Sequence, residues 1–474
     1  MSFVSIAFLF FLPLVFISYY LLPSKYRWAL MLCVSYAFYA YWDWRYVPLL
    51  FISSLIDYLC ALKMASKDNK ASRRPFLYVT LVVNLGILFS FKYWNFFGSN
   101  IQALFNFEVG LHHLLLPLGL SFYTLQTLSY AFDVYLGKIK AERHLGYFCL
   151  YVSFFPQLVA GPIERSRSLL PQLKALTLPT LYQFRYGLLL IAWGFFVKLV
   201  IADNLTASIN SVYFSDQRFS FWLYWITGAL VTLKIYCDFM AYSEIARGVA
   251  LLFGVKLTIN FRRPLLATNL RSFWQRWHIS LTRWIGDYIQ IPLLRRFPAE
   301  PSRSFVTIVT LVIIGLWHGA SWNFILFGLF HGIAMVLWFP VAKGFKVVFG
   351  REANSFHIAS RLSLAIVLMF SAPMFYIHDS SILYSAISNM LSFGAENELL
   401  DSMDIEGKLM LVKAFLGTVV LLCVSFYDEF KGHNCIQEVA IASSLKRWGI
   451  TLLVLLNILL FGNFVSEPFI YFEF

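Results

Sequence analysis

FVTIVTLVIIGLWHGASWNFILFGLFHGIAMVLWF, residues 305–339, contains no Asp, Glu, Lys or Arg. Hydrophobic lengths of this kind cross bilayers, at about 20 residues per crossing. A titratable ring embedded in one must offset its desolvation through a hydrogen bond, a ligand or a reaction. His318, in Leu316-Trp317-His318-Gly319-Ala320, is such a ring, and His331 is a second. The stretch therefore predicts a membrane enzyme, with His318 as its leading candidate.

The rest of the chain agrees with that setting. It is 59% hydrophobic and 13% charged, against roughly 25% charged residues in a soluble domain. Apolar windows recur at 3–22, 76–91, 186–200, 222–236, 362–374, 409–426 and 450–465. They predict an all-α polytopic membrane protein of about 10–12 membrane elements, some short or re-entrant. No Gly/Ser-rich or Pro-rich linker separates two compositions, so residues 1–474 are expected to form a single integral membrane domain. The first segment has no basic residue before Lys25, unlike a cleavable signal peptide, and is expected to be a retained span.

The net charge of +13 collects in connections at 63–74, 262–303 and 343–351. Basic connections mark a cytoplasmic face beside anionic membrane lipid, which accounts for the charge without a nucleic-acid partner. The acidic interval Glu396, Glu398, Asp401, Asp404 and Glu406 then belongs to the opposite side. Cys33, Cys60, Cys149, Cys237, Cys423 and Cys435 have neither disulfide nor zinc spacing and read as buried small hydrophobes.

Residues 260–296, NFRRPLLATNLRSFWQRWHISLTRWIGDYIQIPLLRR, are too charged to face lipid and too aromatic for a free loop. Trp274, Trp277 and Trp284 follow helical spacings, with Arg276 and Arg283 beside them. An amphipathic or re-entrant helix bounded by Pro264 and Pro292 is expected at the membrane interface. The two arginines fit either a phosphate or carrier-bound donor, or plain interface anchoring. Gly161-Pro162 is expected to form a bend where a membrane element meets the interface.

A neutral imidazole can take a proton from an alcohol while its other nitrogen is held by a hydrogen bond. For His318 and His331 the competing reading is a structural histidine bonded to a neighbouring helix carbonyl. One continuous helix would set the two about 20 Å apart, so they are separate candidates unless Gly319 and Asn323 unwind it. His278, in Trp277-His278-Ile279-Ser280, either positions a substrate or bonds Asp287 to brace its element. Asp238 and Tyr242 share a helix face, where Asp238 either orients a histidine or a basic donor group, or serves as a cap or a tie between helices. Walker, His-Glu-x-x-His and Gly-x-Ser-x-Gly patterns are absent, which weakens ATPase, metalloprotease and serine-hydrolase readings.

Several ordered blocks resemble the membrane-bound O-acyltransferase family, in its bacterial branch of alginate O-acetylation and teichoic-acid D-alanyl transfer proteins. They are LPLGLSFYTLQTLSYAFDVYLG (116–137), FFPQLVAGPIER (154–165), KIYCDFMAYSEIARGVALLFG (234–254), the 260–294 block and GLWHGASWNFILFGLFHG (315–332). The resemblance implies a multi-span fold around a central tunnel, with His318 catalytic, His278 supporting it, and Asp287 in an Arg-Asp-Tyr-like element. Gly286 stands where that element usually has arginine, and Glu244 where the polysaccharide branch usually has aspartate. Trp317, Trp277, Asn323 and His331 join as substrate-binding or supporting residues.

The implied reaction passes an acyl group, acetyl above all, from a thioester donor such as acetyl-CoA or an acylated carrier protein. The acceptor is a hydroxyl of an exopolysaccharide or of a periplasmic acyl-relay partner, at a bacterial inner membrane. Neither a metal nor a permanently bound cofactor is expected. D-alanyl transfer is the alternative reaction, and an acyl-group conduit or scaffold without chemistry is the competing class.

Overall fold

The computed structural model describes residues 1–474 except 108, 112–113, 350–353, 393–404, 466 and 471–474. Most of the acidic interval, Glu396 to Asp404, and Arg351 of the third basic connection thus lie outside the described residues. The helices, in order, are α1 Ile6–Leu21, α2 Ser24–Asp43, α3 Val47–Ala65, α4 Lys70–Leu88, α5 Trp94–Phe105, α6 Leu120–Tyr135, α7 Leu145–Ser153, α8 Phe155–Leu158, α9 Ser166–Lys174, α10 Leu181–Phe196 and α11 Asp203–Tyr213. They continue with α12 Phe221–Leu252, α13 Leu270–Arg276, α14 Ile279–Ile285, α15 Ile291–Arg296, α16 Ser302–His318, α17 Trp322–Phe349, α18 Asn354–Tyr376, α19 Ser380–Leu391, α20 Ile405–Lys431, α21 Cys435–Ile441 and α22 Ser444–Phe461. The protein is all-α and polytopic.

Among the described residues, seven helical runs are long and apolar enough to cross a bilayer: Ser24–Ala65, Lys70–Phe105, Leu181–Tyr213, Trp322–Phe345, Ser355–Tyr376, Ile405–Lys431 and Ser444–Phe461. Ile6–Leu21 and Ser302–His318 are shorter apolar helices. The run from Ser24 divides at Asp43, whose extended backbone (φ −160°, ψ 110°) precedes a 3-10 turn at Trp44–Tyr46. Exposed leucines such as Leu452, Leu456 and Leu459 on α22 suit a surface solvated by lipid rather than water. Cys60, Cys149 and Cys237 are buried, whereas Cys33 and Cys423 are exposed on apolar helices. The expectation of uniform cysteine burial therefore fails where the helix faces outward.

Contacts divide the chain into two compact units. The first comprises Met1–Ile191 and Tyr242–Ile259, the second Ala192–Ala241 and Asn260–Phe474.

In the first unit, Asn84 on α4 donates to both oxygens of Asp57 on α3, at 2.8 and 3.0 Å, and accepts from Thr127 on α6 at 3.3 Å. Three apolar helices are thereby tied by one buried polar cluster, which leaves few of its lone pairs unmatched. Gly119 opens α6 at φ +74°, and a Cβ there would lie 2.4 Å from the Leu158 carbonyl oxygen. Only glycine meets both conditions. The bend at Gly161-Pro162 exists, and both residues are buried. Just beyond it, buried Glu164 accepts the Thr258 backbone N–H. Burial pushes its carboxyl up to about 7, against the opposing pull of that N–H, Arg247 and Arg165.

In the second unit, residues 305–339 do not form one helix. They fold as the antiparallel hairpin α16–α17, separated at residues 319–321. Each half carries a Gly-x-x-x-Gly repeat, Gly315/Gly319 and Gly328/Gly332, and each histidine precedes the second glycine of its pair. A Cβ on Gly315 would stand 2.1 Å from the Phe324 oxygen, and one on Gly328 would stand 2.4 Å from the Leu311 oxygen. Small residues let two membrane helices approach this closely, and the spacing places them on one face.

Candidate functional site

His318 ends α16. Gly319 leaves the helix in extended backbone, so the chain turns and re-enters α17 at Trp322. Asn323 holds that turn by donating to the carbonyls of Ile377 at 2.7 Å and His378 at 3.1 Å. The broken helix also removes the separation calculated for a continuous one, and His318 and His331 line a single cavity.

That cavity is about 40 Å³, above the ~10–15 Å³ needed for one water. Its walls come from four directions in the second unit. Thr232 and Ile235 of α12 form one side, Phe273 and Trp274 of α13 with Trp277 another. Phe327 and His331 of α17 face Leu368, Ser371, Ala372 and Phe375 of α18. His331 and Ser371 are joined at 2.9 Å between Nε2 and Oγ, and Ser371 Oγ also donates to the Leu368 carbonyl at 3.2 Å. A serine proton committed to Leu368 makes Nε2 the protonated nitrogen of His331 and leaves Nδ1 its lone pair.

The expected single helix across 260–296 is corrected. It divides at Trp277-His278 into α13 and α14, because His278 adopts left-handed backbone (φ 40°, ψ 55°). A side chain in that region carries strain that the surroundings must hold. Asn260 supplies much of the hold. Its carbonyl accepts Ile279 N at 2.9 Å, its side-chain oxygen accepts Ser280 N at 3.3 Å, and Arg262 N donates to Arg276 O at 2.9 Å. Asn260 thus caps α14 from a distant strand of chain, satisfying orphan amides at its start. Sequence reasoning quoted Asn260 only as the beginning of its block. Its role was hidden because the partner amides lie 19 and 20 positions away.

Pro264 starts a 3-10 turn and Pro292 sits in the first turn of α15, so neither bounds a long helix. Trp274 and Trp277 line the cavity, whereas Trp284 is on α14 against Tyr288, ring centroids 5.1 Å apart. The three indoles are therefore not one stripe.

Aromatic rings connect the histidines. The His278 ring lies 4.6 Å from Phe239 and 5.8 Å from Trp317. Trp317 lies 5.0 Å from His318, and His318 lies 4.9 Å from Phe375. Phe375 meets Phe327 at 5.3 Å, and Phe327 meets His331 at 4.5 Å. Trp274 approaches His331 edge-on at 5.4 Å. All three histidines are at most 3% exposed. Burial pushes His278 down to about 3, so its imidazole is neutral at physiological pH.

The remaining sequence candidates do not line the cavity. Asp238 accepts Lys198 Nζ at 2.6 Å, and Lys198 also pairs with Asp203 at 2.8 Å, all buried. Tyr242 falls in the first unit, its ring stacked on Phe3 at 4.7 Å. Arg276 pairs with Glu429 of α20 at 2.9 Å, as does Arg263 at 3.0 Å, so one carboxylate bridges two arginines beside the helix break. Arg283 and Asp287 are exposed and do not line the cavity. Ser371, Phe375, Phe327 and Thr232 were missed, because nothing in their local pattern separates a cavity wall from a lipid face.

The arrangement can do one kind of chemistry well. A mainly apolar cavity with two imidazoles suits proton removal from a neutral nucleophile. The sequence pattern of the MBOAT, membrane-bound O-acyltransferase family matches residues 141–370. A peptidoglycan O-acetyltransferase of Helicobacter pylori is 35% identical over 356 residues, 69% of this chain and 68% of that protein. A probable alginate O-acetylase of Pseudomonas syringae pv. tomato is 34% identical over 406 residues, 83% of this chain and 76% of that protein. A teichoic acid D-alanyltransferase of Streptococcus thermophilus is 30% identical over 242 residues, 48% and 58% of the respective lengths.

Proposed function

Because this chain belongs to the membrane-bound O-acyltransferase family, we propose that it moves an acetyl group from a cytoplasmic thioester donor to a hydroxyl of a cell-envelope polysaccharide, alginate-like in kind, or of a periplasmic relay serving it. The observation that carries this reading is His318 at a helix break, lining a small apolar cavity with His331. The whole chain acts as one integral enzyme of a bacterial inner membrane.

His318 takes the hydroxyl proton as the oxygen attacks the thioester carbonyl. Without that transfer a free alkoxide would form in an apolar cavity, at a large desolvation cost. The new C–O bond forms, the C–S bond breaks, and the proton passes from His318 to the departing thiolate. Trp317, between the His278 and His318 rings, and Phe375 on the other side hold His318 in place. His278, neutral and wrapped by Phe239 and Trp317, supports that seat. The donor is acetyl-CoA or an acetylated carrier. The names and coverage of the two O-acetylating relatives support acetyl over D-alanyl.

The test is polymer-linked O-acetyl, measured by mass spectrometry in a deletion strain complemented with wild type or His318→Ala at equal membrane abundance. Loss in the variant alone is expected. Undiminished acetylation would overturn the assignment and favour a conduit or scaffold, while D-alanyl on the polymer would redirect it to the other reaction.

A further inference from the structure

The cluster around Lys198 is more costly than a helix tie requires. Lys198, Asp203 and Asp238 are each at most 2% exposed, and buried ion pairs contribute little net stability against a well-packed apolar alternative. Their best-attested service is to fix register. α12 needs such a device, since from Phe221 to Cys237 Lys234 is the one charged residue on an otherwise apolar and aromatic surface. A slip by one residue would turn that surface by about 100° and shift it by about 1.5 Å with little change in apolar burial.

The segment after α22 closes the cluster. Asn463 N donates to the Leu199 carbonyl at 2.9 Å, inside the π-helical turn Val197–Ala202 that carries Lys198. Three consecutive residues then reach the charges. The Pro468 carbonyl accepts Lys198 Nζ at 3.4 Å, the Phe469 ring lies 4.5 Å from that nitrogen, and Ile470 N donates to Asp238 Oδ2 at 2.6 Å. Asp238 is therefore gripped on both oxygens, Oδ1 by Lys198 and Oδ2 by the tail backbone. One position further along α12, Phe239 packs against the His278 ring, and three positions earlier Ile235 forms cavity wall.

We propose that Lys198, Asp203 and Asp238, closed by Pro468–Ile470, form a positioning device that sets the rotation of α12 and through it the seat of His278 and one wall of the histidine cavity. The proposal rests on the reading of that cavity as the transfer site. These residues touch neither donor nor acceptor; they act through Phe239 and Ile235. Pro468–Ile470 thus belong to the catalytic geometry although they lie beyond α22.

Full-length protein in detergent is compared with Asp238→Asn, Lys198→Met and the conservative Lys198→Arg. Ile470→Pro removes the N–H that Asp238 accepts and leaves every charge, so it remains informative where a charge variant fails to fold; Ile470→Ala, which keeps that N–H and loses the same buried side chain, is its control. Three quantities are read: kcat and donor KM for acetyl transfer, the melting temperature, and diethyl pyrocarbonate labelling of His278, located by mass spectrometry against exposed His433. A displacement near 1 Å lowers kcat by about 10²-fold. Asp238→Asn, Lys198→Met and Ile470→Pro are expected to lose kcat on that scale at unchanged donor KM, with His278 labelling raised and His433 labelling unchanged, and Lys198→Arg to retain most activity. Unaltered His278 labelling and kcat in folded Ile470→Pro would overturn the proposal, as would kcat losses that only follow the folded fraction. The labelling does not depend on acetyl transfer, so it still decides the positioning claim if the His318→Ala experiment defeats the proposed reaction.

Discussion

Two helix breaks in the second unit each carry a buried histidine, and they are built differently. At His318 the helix ends in ordinary geometry, glycine follows, and the ring lines a cavity. At His278 the residue itself takes the left-handed backbone, glycine is absent, and its ring packs against Phe239 and Trp317 without lining that cavity. Strain at the second break is held by Asn260, whereas the first break is shaped by the glycines around it. Under the proposed function, the difference separates a group placed to react from a group placed to be immovable.

The sharpest way to break this contrast is to remove each ring. His318→Ala is expected to lower transfer by about 10²–10⁴-fold, the range of a general base, with the melting temperature nearly unchanged. His278→Ala should lower activity and melting temperature together, because a packed ring is lost. Equal thermal effects for the two variants would erase the distinction. A smaller effect separates backbone from side chain at position 278. His278→Gly should be more stable than His278→Ala by about 1–2 kcal/mol, the cost of left-handed backbone for a residue with a Cβ, as measured by denaturation in detergent.

The contrast also has a pH signature. The folded state holds His278 down to about 3 against an ordinary 6.5. Between those values the unfolded chain binds the additional proton, so stability falls as pH falls from 6.5 toward 3. His278→Asn should flatten that part of the curve between pH 6.5 and 5, and an identical slope in wild type and variant would show that the ring does not remain neutral. The smallest expected effect is Arg283→Ala. Its exposed side chain predicts a stability change within about 0.5 kcal/mol, and a large loss of activity there would restore the donor-binding reading of that arginine.

The sequence made the fold class legible because uncharged length is itself the signal for a membrane helix. It also singled out His318, His278 and His331, since a titratable ring inside an apolar run is conspicuous. What it concealed were relations across distance. Asn260 reads as one polar residue at the head of an aromatic block until its carbonyl meets Ile279. Asp238 reads as either an orienting carboxylate or a helix tie, and its partners are invisible in the local pattern: Lys198, 40 residues earlier, occupies its first oxygen and the Ile470 N–H its second. The indole stripe failed for a local reason, since helical spacing across 274–284 presupposed that no residue between them would leave the helix.

The paired glycines of α16 and α17 have a further bearing on substrate choice. Both histidines stand on a hairpin whose two backbones are spaced by Gly315, Gly328 and Gly332 rather than by bulky side chains. The gap between them is thus a fixed gauge, set by atoms that no substrate meets. Enlarging one of these glycines would widen the hairpin and alter which acyl length is accepted before it altered which bond is made. Chain-length discrimination in this protein would then be inherited from membrane helix packing and tuned from outside the cavity.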